Sequence, residues 1–348
     1  MSAEALSQPS LPTDVLDAYC GDRPVNVSHI GNGEINVTYL LTEPATEADQ
    51  PDRKIILQRV NTDVFDPRIT EDFVVVTNHL AQEGWEVPQA VPTEDGTVHH
   101  VDTEGGVWRA MTFLESDGKP QNSESPALYT KYGELLANMH GSLARLDYEP
   151  HSIPHFHDTP YYAGRMREVL DQLPDAETRA TAEALLAAYD TLNIPEDATR
   201  QLIHADPKTD NMLFRNGEPF TYIDWDTLMD GTIWVDIGDM LRSVVEDAVH
   251  QGAELPVDKI RCFSEGYRQV AAPEVEPAQF EQWVVASTQQ IAIELGMRYL
   301  TDVADNSYWS WNLAEYPTRY DYCTARTATQ LKIYHNLSQL QPTGDQHV

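Results

Sequence analysis

His204-Ala-Asp-Pro-Lys-Thr-Asp-Asn211, followed after a short apolar run by Tyr222-Ile-Asp-Trp-Asp226, is the stretch from which the rest of the chain can be read. Its order is H-x-D-x-K-x-x-N and then an apolar-Asp turn. Phosphoryl transfer from a nucleoside triphosphate is mainly a matter of positioning and charge neutralisation. It needs a carboxylate near the acceptor hydroxyl, a cation near the γ-phosphate and oxygen ligands for Mg²⁺. Asp206 fits the first need as a base, and Lys208, two residues on, returns to the same side of an extended loop. Asn211 and Asp224 fit the third, and His204 is expected to tie the loop together. A lone H-x-D occurs in many chains, and a run rich in Asp, Thr and Asn is usually a solvated turn. The two halves together, flanked by the β-like runs Gln201–Ile203 and Met212–Phe214, carry more than either alone.

The protein-kinase catalytic loop followed by its D-F-G segment has the same order. The run Leu202–Phe214, then Ile223-Asp-Trp-Asp-Thr-Leu-Met-Asp-Gly231 and Val235-Asp-Ile-Gly-Asp-Met-Leu-Arg242, resembles the aminoglycoside phosphotransferase and choline kinase superfamily. Within it, the stretch after Asp224 is similar to N-acetylhexosamine 1-kinases. Gly31-Asn-Gly-Glu-Ile-Asn-Val-Thr-Tyr39, Leu57–Asn61, Ile153–Thr159 and Arg298–Asp302 extend the resemblance over roughly residues 25 to 335.

The resemblance implies an α+β, bilobal protein-kinase-like fold with a small antiparallel sheet lobe and a larger, mainly helical lobe. It implies ATP and Mg²⁺, with a small-molecule sugar or amino-alcohol acceptor. It also places Asp236 behind the catalytic loop as a hydrogen-bonding support, and Arg298, Asp302 and Tyr308 near the acceptor. One departure is Ala205 where the superfamily's loop has glycine, since a methyl disfavours φ > 0 there.

Two other classes of function compete with this reading. One is a nucleotide-binding regulator without catalysis, which the presence of Asp206, Asn211 and Asp224 argues against. The other is a metal hydrolase built on His155, His157 and Asp206. Among kinases, an amino sugar, an aminoglycoside or choline are alternative acceptors.

The net charge of -33 over 348 residues repels nucleic acids and anionic membranes, so neither is an expected partner. There are six lysines, at 54, 119, 131, 208, 259 and 332, against 56 Asp and Glu spread along the whole chain, a pattern suited to a protein kept soluble in concentrated salt. Finding one of those lysines inside the catalytic loop adds weight to Lys208. No apolar run approaches a membrane span, and Met1-Ser-Ala-Glu-Ala has neither a basic nor an apolar region, so a cytoplasmic protein is expected. Cys20, Cys262 and Cys323 are too few and too scattered for a disulfide framework or a zinc site.

Along the chain, residues 1–115 read as a nucleotide-binding lobe and 116–348 as a lobe carrying the catalytic loop and the acceptor site. A short helix over 13–19 precedes two strands, 25–30 and 35–41, joined by Gly31-Asn32-Gly33, a turn placed to cover phosphates. The strand 54–60 ends at Arg59, expected to face the α- and β-phosphates, with Glu71 or Asp72 of a helix from Asp66-Pro67 to Gln82 as its partner. A hairpin over 98–101 and 107–114 leads into Met111-Thr-Phe113-Leu-Glu115, the expected hinge against adenine. Helices are expected at 126–143, 161–173, 176–192, 235–249, 257–271, 278–304 and 318–338, with His140 structural.

Overall fold

Alternating apolar residues build the first layer. In a computed structural model that describes residues 11–30, 35–45, 47, 50–120, 125–192, 199–305, 309 and 311–340, helix α1 (Thr13–Cys20) packs on one face of an antiparallel sheet. Its strands are β1 (Asn26–His29), β2 (Val37–Glu43) and β3 (Arg53–Val60), then, after helix α2 (Ile69–Gln82), β4 (Ala90–Val91), β5 (His100–Val101) and β6 (Val107–Thr112). The order is β1-β2-β3-β6-β4, with β5 also paired to β6. On β3 the odd positions Ile55 and Leu57 are buried with Val15, Tyr19 and Trp108 against α1. The even positions Ile56 and Gln58 therefore point to the opposite face, into the cleft.

The larger lobe is helical and also carries two short antiparallel strand pairs. Helices α3 (Pro126–Leu143), α4 (Thr159–Val169) and α5 (Ala176–Tyr189) come first. Strands β7 (Arg200–Ile203), β8 (Met212–Arg215), β9 (Glu218–Tyr222) and β10 (Met229–Thr232) follow, β7 pairing with β10 and β8 with β9. Helices α6 (Ile233–His250), α7 (Val257–Ala271), α8 (Pro277–Asp305) and α9 (Arg319–Leu337) complete it. The α3 stripe Leu128, Tyr132, Leu136 and Met139 is buried, as its helical spacing requires. A Cβ on Gly133 of α3 would lie 2.2 Å from the Phe263 carbonyl of α7, so these helices meet backbone to backbone. Phe73, Val76 and Leu80 of α2 share one core with Tyr132, Phe214, Tyr222 and Trp225, which fixes the small lobe on the large one.

Among the boundaries that differ from expectation are the start of α2 and the end of α4. Helix α2 starts at Ile69, because Asp66 and Pro67 form a tight turn in which the Asp66 carboxylate accepts the Arg68 N–H at 2.9 Å. Helix α4 stops at Val169 and continues only as a single 3₁₀ turn, Leu170–Gln172. The Gly31–Gly33 turn lies outside the described residues. Among the described residues no helix is long and apolar enough to cross a membrane.

Candidate active site

Strand β7 delivers the chain to the loop, and β10, paired beside it, runs straight into α6. That places Asp236, in the first turn of α6, directly beneath the loop. One Asp236 oxygen accepts the Ala205 N–H at 2.7 Å; the other accepts the His204 N–H at 3.0 Å and His140 Nε2 at 2.9 Å. Burial alone would raise the Asp236 pKa, but these hydrogen bonds and the nearby imidazoles outweigh it and hold the carboxyl below its usual range. His140 Nδ1 faces the Tyr267 hydroxyl at 2.7 Å, so His140 is a structural brace.

His204 is wholly buried. Its Nε2 donates to the Ile223 carbonyl at 3.0 Å, and Nδ1 accepts the Asp206 N–H at 3.3 Å, which assigns the neutral Nε2–H tautomer. Burial lowers its pKa in agreement. Grouped with the catalytic side chains on sequence order, His204 instead stands behind them. It ties the Asp206 loop to the turn that carries Asp224.

Ala205 adopts φ 65° despite its methyl, so the left-handed backbone of the glycine version is kept. For an alanine this costs about 1–2 kcal/mol, and the bonds to Asp236 and to neighbouring groups must hold it. Asp206 then faces outward. Its Oδ2 accepts from Lys208 Nζ at 2.8 Å and from Asn211 Nδ2 at 3.0 Å. Burial and then the Asp239 charge raise the Asp206 pKa, and Lys208 opposes them. Burial lowers the pKa of Lys208, but the charges of Asp206, Asp239 and Asp224 outweigh that, so the amine stays an ammonium ion.

Asp224, at φ 66°, lines the end of the cleft and is exposed to solvent. Desolvation, then the Asp226 and Asp206 carboxylates, push its pKa up to about 7. Asn211 directs its amide N–H groups to the Asp206 carbonyl and carboxylate. Among the described residues neither the Asn211 amide oxygen nor the Asp224 carboxylate has a hydrogen-bond partner, so both are available to a hard cation. No cluster of three or more His, Cys, Asp or Glu side chains is placed to hold an ion among the described residues. An ion here would complete its shell with substrate oxygens and water, the habit of Mg²⁺.

The cleft itself is a cavity of about 310 Å³ between the sheet and the β8–β9 hairpin. Ile56, Met111, Phe113, Leu114, Leu213 and Ile223 give it apolar walls, and Asn211 and Asp224 lie at its polar end. Met111 and Phe113, expected at the hinge, both line this cavity.

Arg59 does not face this cavity. The β3 alternation turns it to the far side, where a Cβ on Gly106 would lie 2.6 Å from Asp102 Oδ2 and 2.8 Å from Arg59 Nε. The cleft cation is Arg109, paired with Gln58 across β3 and β6. It donates to Gln58 Oε1 and to Asp226 Oδ2, each at 2.7 Å, and pairs with Asp226 Oδ1 at 2.6 Å, with both charged groups buried. Asn36 also donates to Asp226, at 2.7 Å. The expected helix partner of Arg59 is likewise absent: Glu71 is exposed, and Asp72 accepts from Tyr148 and His151. Sequence reasoning missed Arg109, although counting back by two from Met111 puts both on one strand face.

Of the residues expected near the acceptor, Arg298 is buried, donates to the Phe156 carbonyl at 3.0 Å and lies over the Phe156, Tyr162 and Trp309 rings. Asp302 accepts the Trp309 N–H at 3.0 Å and Arg319 at 2.9 Å. Both therefore brace the segment carrying Trp309, whose ring stacks on the buried Tyr299, centroids 4.5 Å apart. Tyr308 lies outside the described residues.

The histidine pair does not converge on Asp206. His155 sits in a turn at φ 56°, bonds Asp158 and stacks on Tyr161. His157 bonds Glu294 and the Ala205 carbonyl. This counts against the metal-hydrolase alternative, because both His157 nitrogens and His155 Nδ1 are engaged and no group of three or more His, Cys, Asp or Glu side chains is placed to hold an ion among the described residues.

A loop holding Asp206, Lys208 and Asn211 beside Asp224, under an antiparallel sheet and on a helical body, is the arrangement of a kinase-like phosphotransferase. The model of the phosphotransferase enzyme family APH matches residues 26–272, and the chain belongs to that family. Over 159 residues it is 31% identical to a homoserine kinase of Burkholderia mallei (strain SAVP1), covering 43% of this chain and 44% of that protein. The chain thus spans less than half the length of the curated relatives it matches.

Solved structures share the fold at low identity. Spectinomycin phosphotransferase in complex with ADP and spectinomycin superposes with a TM-score of 0.60 at 15% identity, over 96% of this chain and 100% of that one. An aminoglycoside 2'-phosphotransferase-IIIa bound to GDP gives 0.62 at 11%, over 93% and 97%. An amicoumacin kinase complexed with AMP-PNP gives 0.59 at 14%, over 91% and 89%.

Proposed function

We propose that this chain is an ATP-dependent small-molecule kinase that phosphorylates the anomeric hydroxyl of an N-acetylhexosamine or a related sugar. The observation that carries the kinase reading is the array of Asp206, Lys208, Asn211 and Asp224 at the polar end of an apolar slot. In it, residues 1–115 supply most of the nucleotide site and 116–348 the catalytic and acceptor groups. Ile56, Met111 and Leu213 sandwich the base, and Arg109 takes the role first given to Arg59. Asp206 accepts the proton of the acceptor hydroxyl, and its raised pKa makes it a better base than an ordinary carboxylate. Lys208 meets the transferred phosphoryl group. Asn211 and Asp224 are the residues that would hold Mg²⁺, which when bound neutralises charge on the β- and γ-phosphates.

The sugar assignment draws on the likeness of the segments around Asp224 and residues 153–159 to N-acetylhexosamine 1-kinases. The anomeric hydroxyl is also a sugar's most acidic one and asks least of a base. A sugar 1-phosphate lacks a free reducing end and a 6-phosphate keeps it. Reducing ends should therefore disappear in step with ADP formation; their full retention would withdraw the 1-kinase assignment.

A small amino alcohol is the second reading. The homoserine kinase relatives favour it. So does Asp239, buried near enough to influence Asp206 and with one carboxylate oxygen that lacks a hydrogen-bond partner among the described residues, an acceptor suited to an ammonium group.

The net charge of -33 is proposed to reflect adaptation to high salt. Raising KCl from about 0.15 M to about 1 M shortens the Debye length from about 8 Å to about 3 Å. Relief of self-repulsion should then raise Tm, and a flat or falling Tm would remove the case.

A further inference from the structure

We propose that His157 is a positioning residue that holds the left-handed turn at Ala205 from its carbonyl side and so fixes where Asp206 stands. As a statement about catalysis it rests on the phosphotransfer reading given above; as a statement about the loop it does not. Ala205 has φ 65° and no exposed surface. A non-glycine residue keeps such a conformation only when its surroundings over-determine it. Its N–H is gripped by Asp236 at 2.7 Å. Its C=O belongs to the peptide plane that leads directly into Asp206, and it accepts His157 Nε2 at 3.0 Å. The turn is therefore clamped from both ends, by residues that come from different parts of the chain.

The histidine is itself held in a built setting. Its Nδ1 lies 2.9 Å from Glu294 Oε1 of α8, and Glu294 is wholly buried. The other Glu294 oxygen accepts the Thr159 hydroxyl at 2.7 Å, and that hydroxyl accepts Gln290 Nε2 at 2.8 Å. Arg298 stands 3.8 Å from Glu294 and donates to the carbonyl of Phe156, the residue before His157. Asp158, the next residue, caps α4 by accepting the Tyr161 N–H at 3.0 Å. Both ring nitrogens face acceptors, a carboxylate and a carbonyl, so the ring serves both only by carrying both protons. Burial disfavours that charge, but Glu294 outweighs it, aided by Asp239 and opposed by Arg298, and the pKa is raised. A charge-assisted donor on the Ala205 carbonyl is stronger than a neutral one.

Asparagine and glutamine separate the two bonds. The Asn amide reproduces the position of Nδ1 and reaches Glu294 only; the Gln amide reproduces Nε2 and reaches the Ala205 carbonyl. Amide hydrogen exchange of His204, Ala205, Asp206 and Lys208 in the whole protein reads the loop without needing turnover. His157→Asn should speed that exchange by about tenfold, the effect of one lost hydrogen bond, while His157→Gln stays within about threefold of wild type. In an Ala205→Gly background, where the left-handed turn is unstrained, the Asn effect should shrink to within about threefold, a coupling that a merely additive packing defect would not show.

For turnover, His157→Asn should lower kcat at least tenfold with the nucleotide KM within about threefold, and His157→Gln should restore most of it. Equal loop protection in Asn and Gln, or an Asn effect undiminished in the Ala205→Gly background, overturns the proposal. Absence of ADP release by the wild type would instead count against the kinase reading, with the exchange comparison still deciding the role of His157.

Discussion

Asp206→Asn is expected to lower kcat by roughly 10²–10⁴ while leaving nucleotide affinity nearly unchanged. The amide has the shape of the carboxylate and can still meet Lys208 and Asn211, so the loop has no reason to move. What it lacks is a lone pair basic enough to take a proton from the acceptor. The apolar residues proposed to hold the base, Ile56, Met111 and Leu213, belong to the cleft rather than to this loop. Steady-state kinetics with a separate nucleotide-binding titration check the split between kcat and affinity. Wild-type turnover in the variant would remove Asp206 from its role.

Asp224→Ala should cost several kcal/mol at the transition state, because a direct carboxylate ligand is lost at the point where phosphate charge gathers. Alanine at φ 66° also strains the turn, so Asp224→Asn, whose side chain tolerates the left-handed region, is the control. Asn211→Ala should be milder, a neutral amide being the weaker ligand. The pH behaviour follows from a pKa pushed up to about 7. A carboxyl raised above its unfolded value binds more protons when folded. In the metal-free protein its contribution to stability is therefore present below about pH 4 and is lost as pH rises towards 7. To hold Mg²⁺ as proposed, the Asp224 carboxyl would have to give up that proton. Stabilisation of the protein by Mg²⁺, read as a rise in Tm, should be full above pH 7 and fade towards pH 5, and Asp224→Asn should lose this pH dependence. A metal requirement unchanged in Asp224→Ala would contradict the assignment.

The legible part of this site was local. Asp206, Lys208 and Asn211 share one loop between two short strands, and Asp224 follows the next strand, so their order alone brought them near one another. The helical body was legible for a similar reason: stripes such as Leu128, Tyr132, Leu136 and Met139 declare a buried face. What could not be read was set by pairing across the fold. Arg59 and Gln58 are neighbours in sequence, but a one-residue step on a strand reverses the face. Only the register of β3 against β6 shows that Gln58 and Arg109 share the cleft. Ala205 shows the same limit. Its methyl argued against a left-handed backbone, and the grips of Asp236 and His157, distant in sequence, overrode that preference. Arg298 and Asp302 sit on the late helix as expected, yet their side chains are spent on bonds to Phe156, Trp309 and Arg319, which their place in the sequence does not show.

Acceptor-dependent ADP formation tests the central claim most directly. Wild-type protein with ATP and Mg²⁺ should release ADP when an N-acetylhexosamine is supplied and little without it, and Asp206→Asn should abolish the difference. ADP release that ignores sugars and amino alcohols alike, or that survives Asp206→Asn, would contradict a phosphotransferase built on this loop.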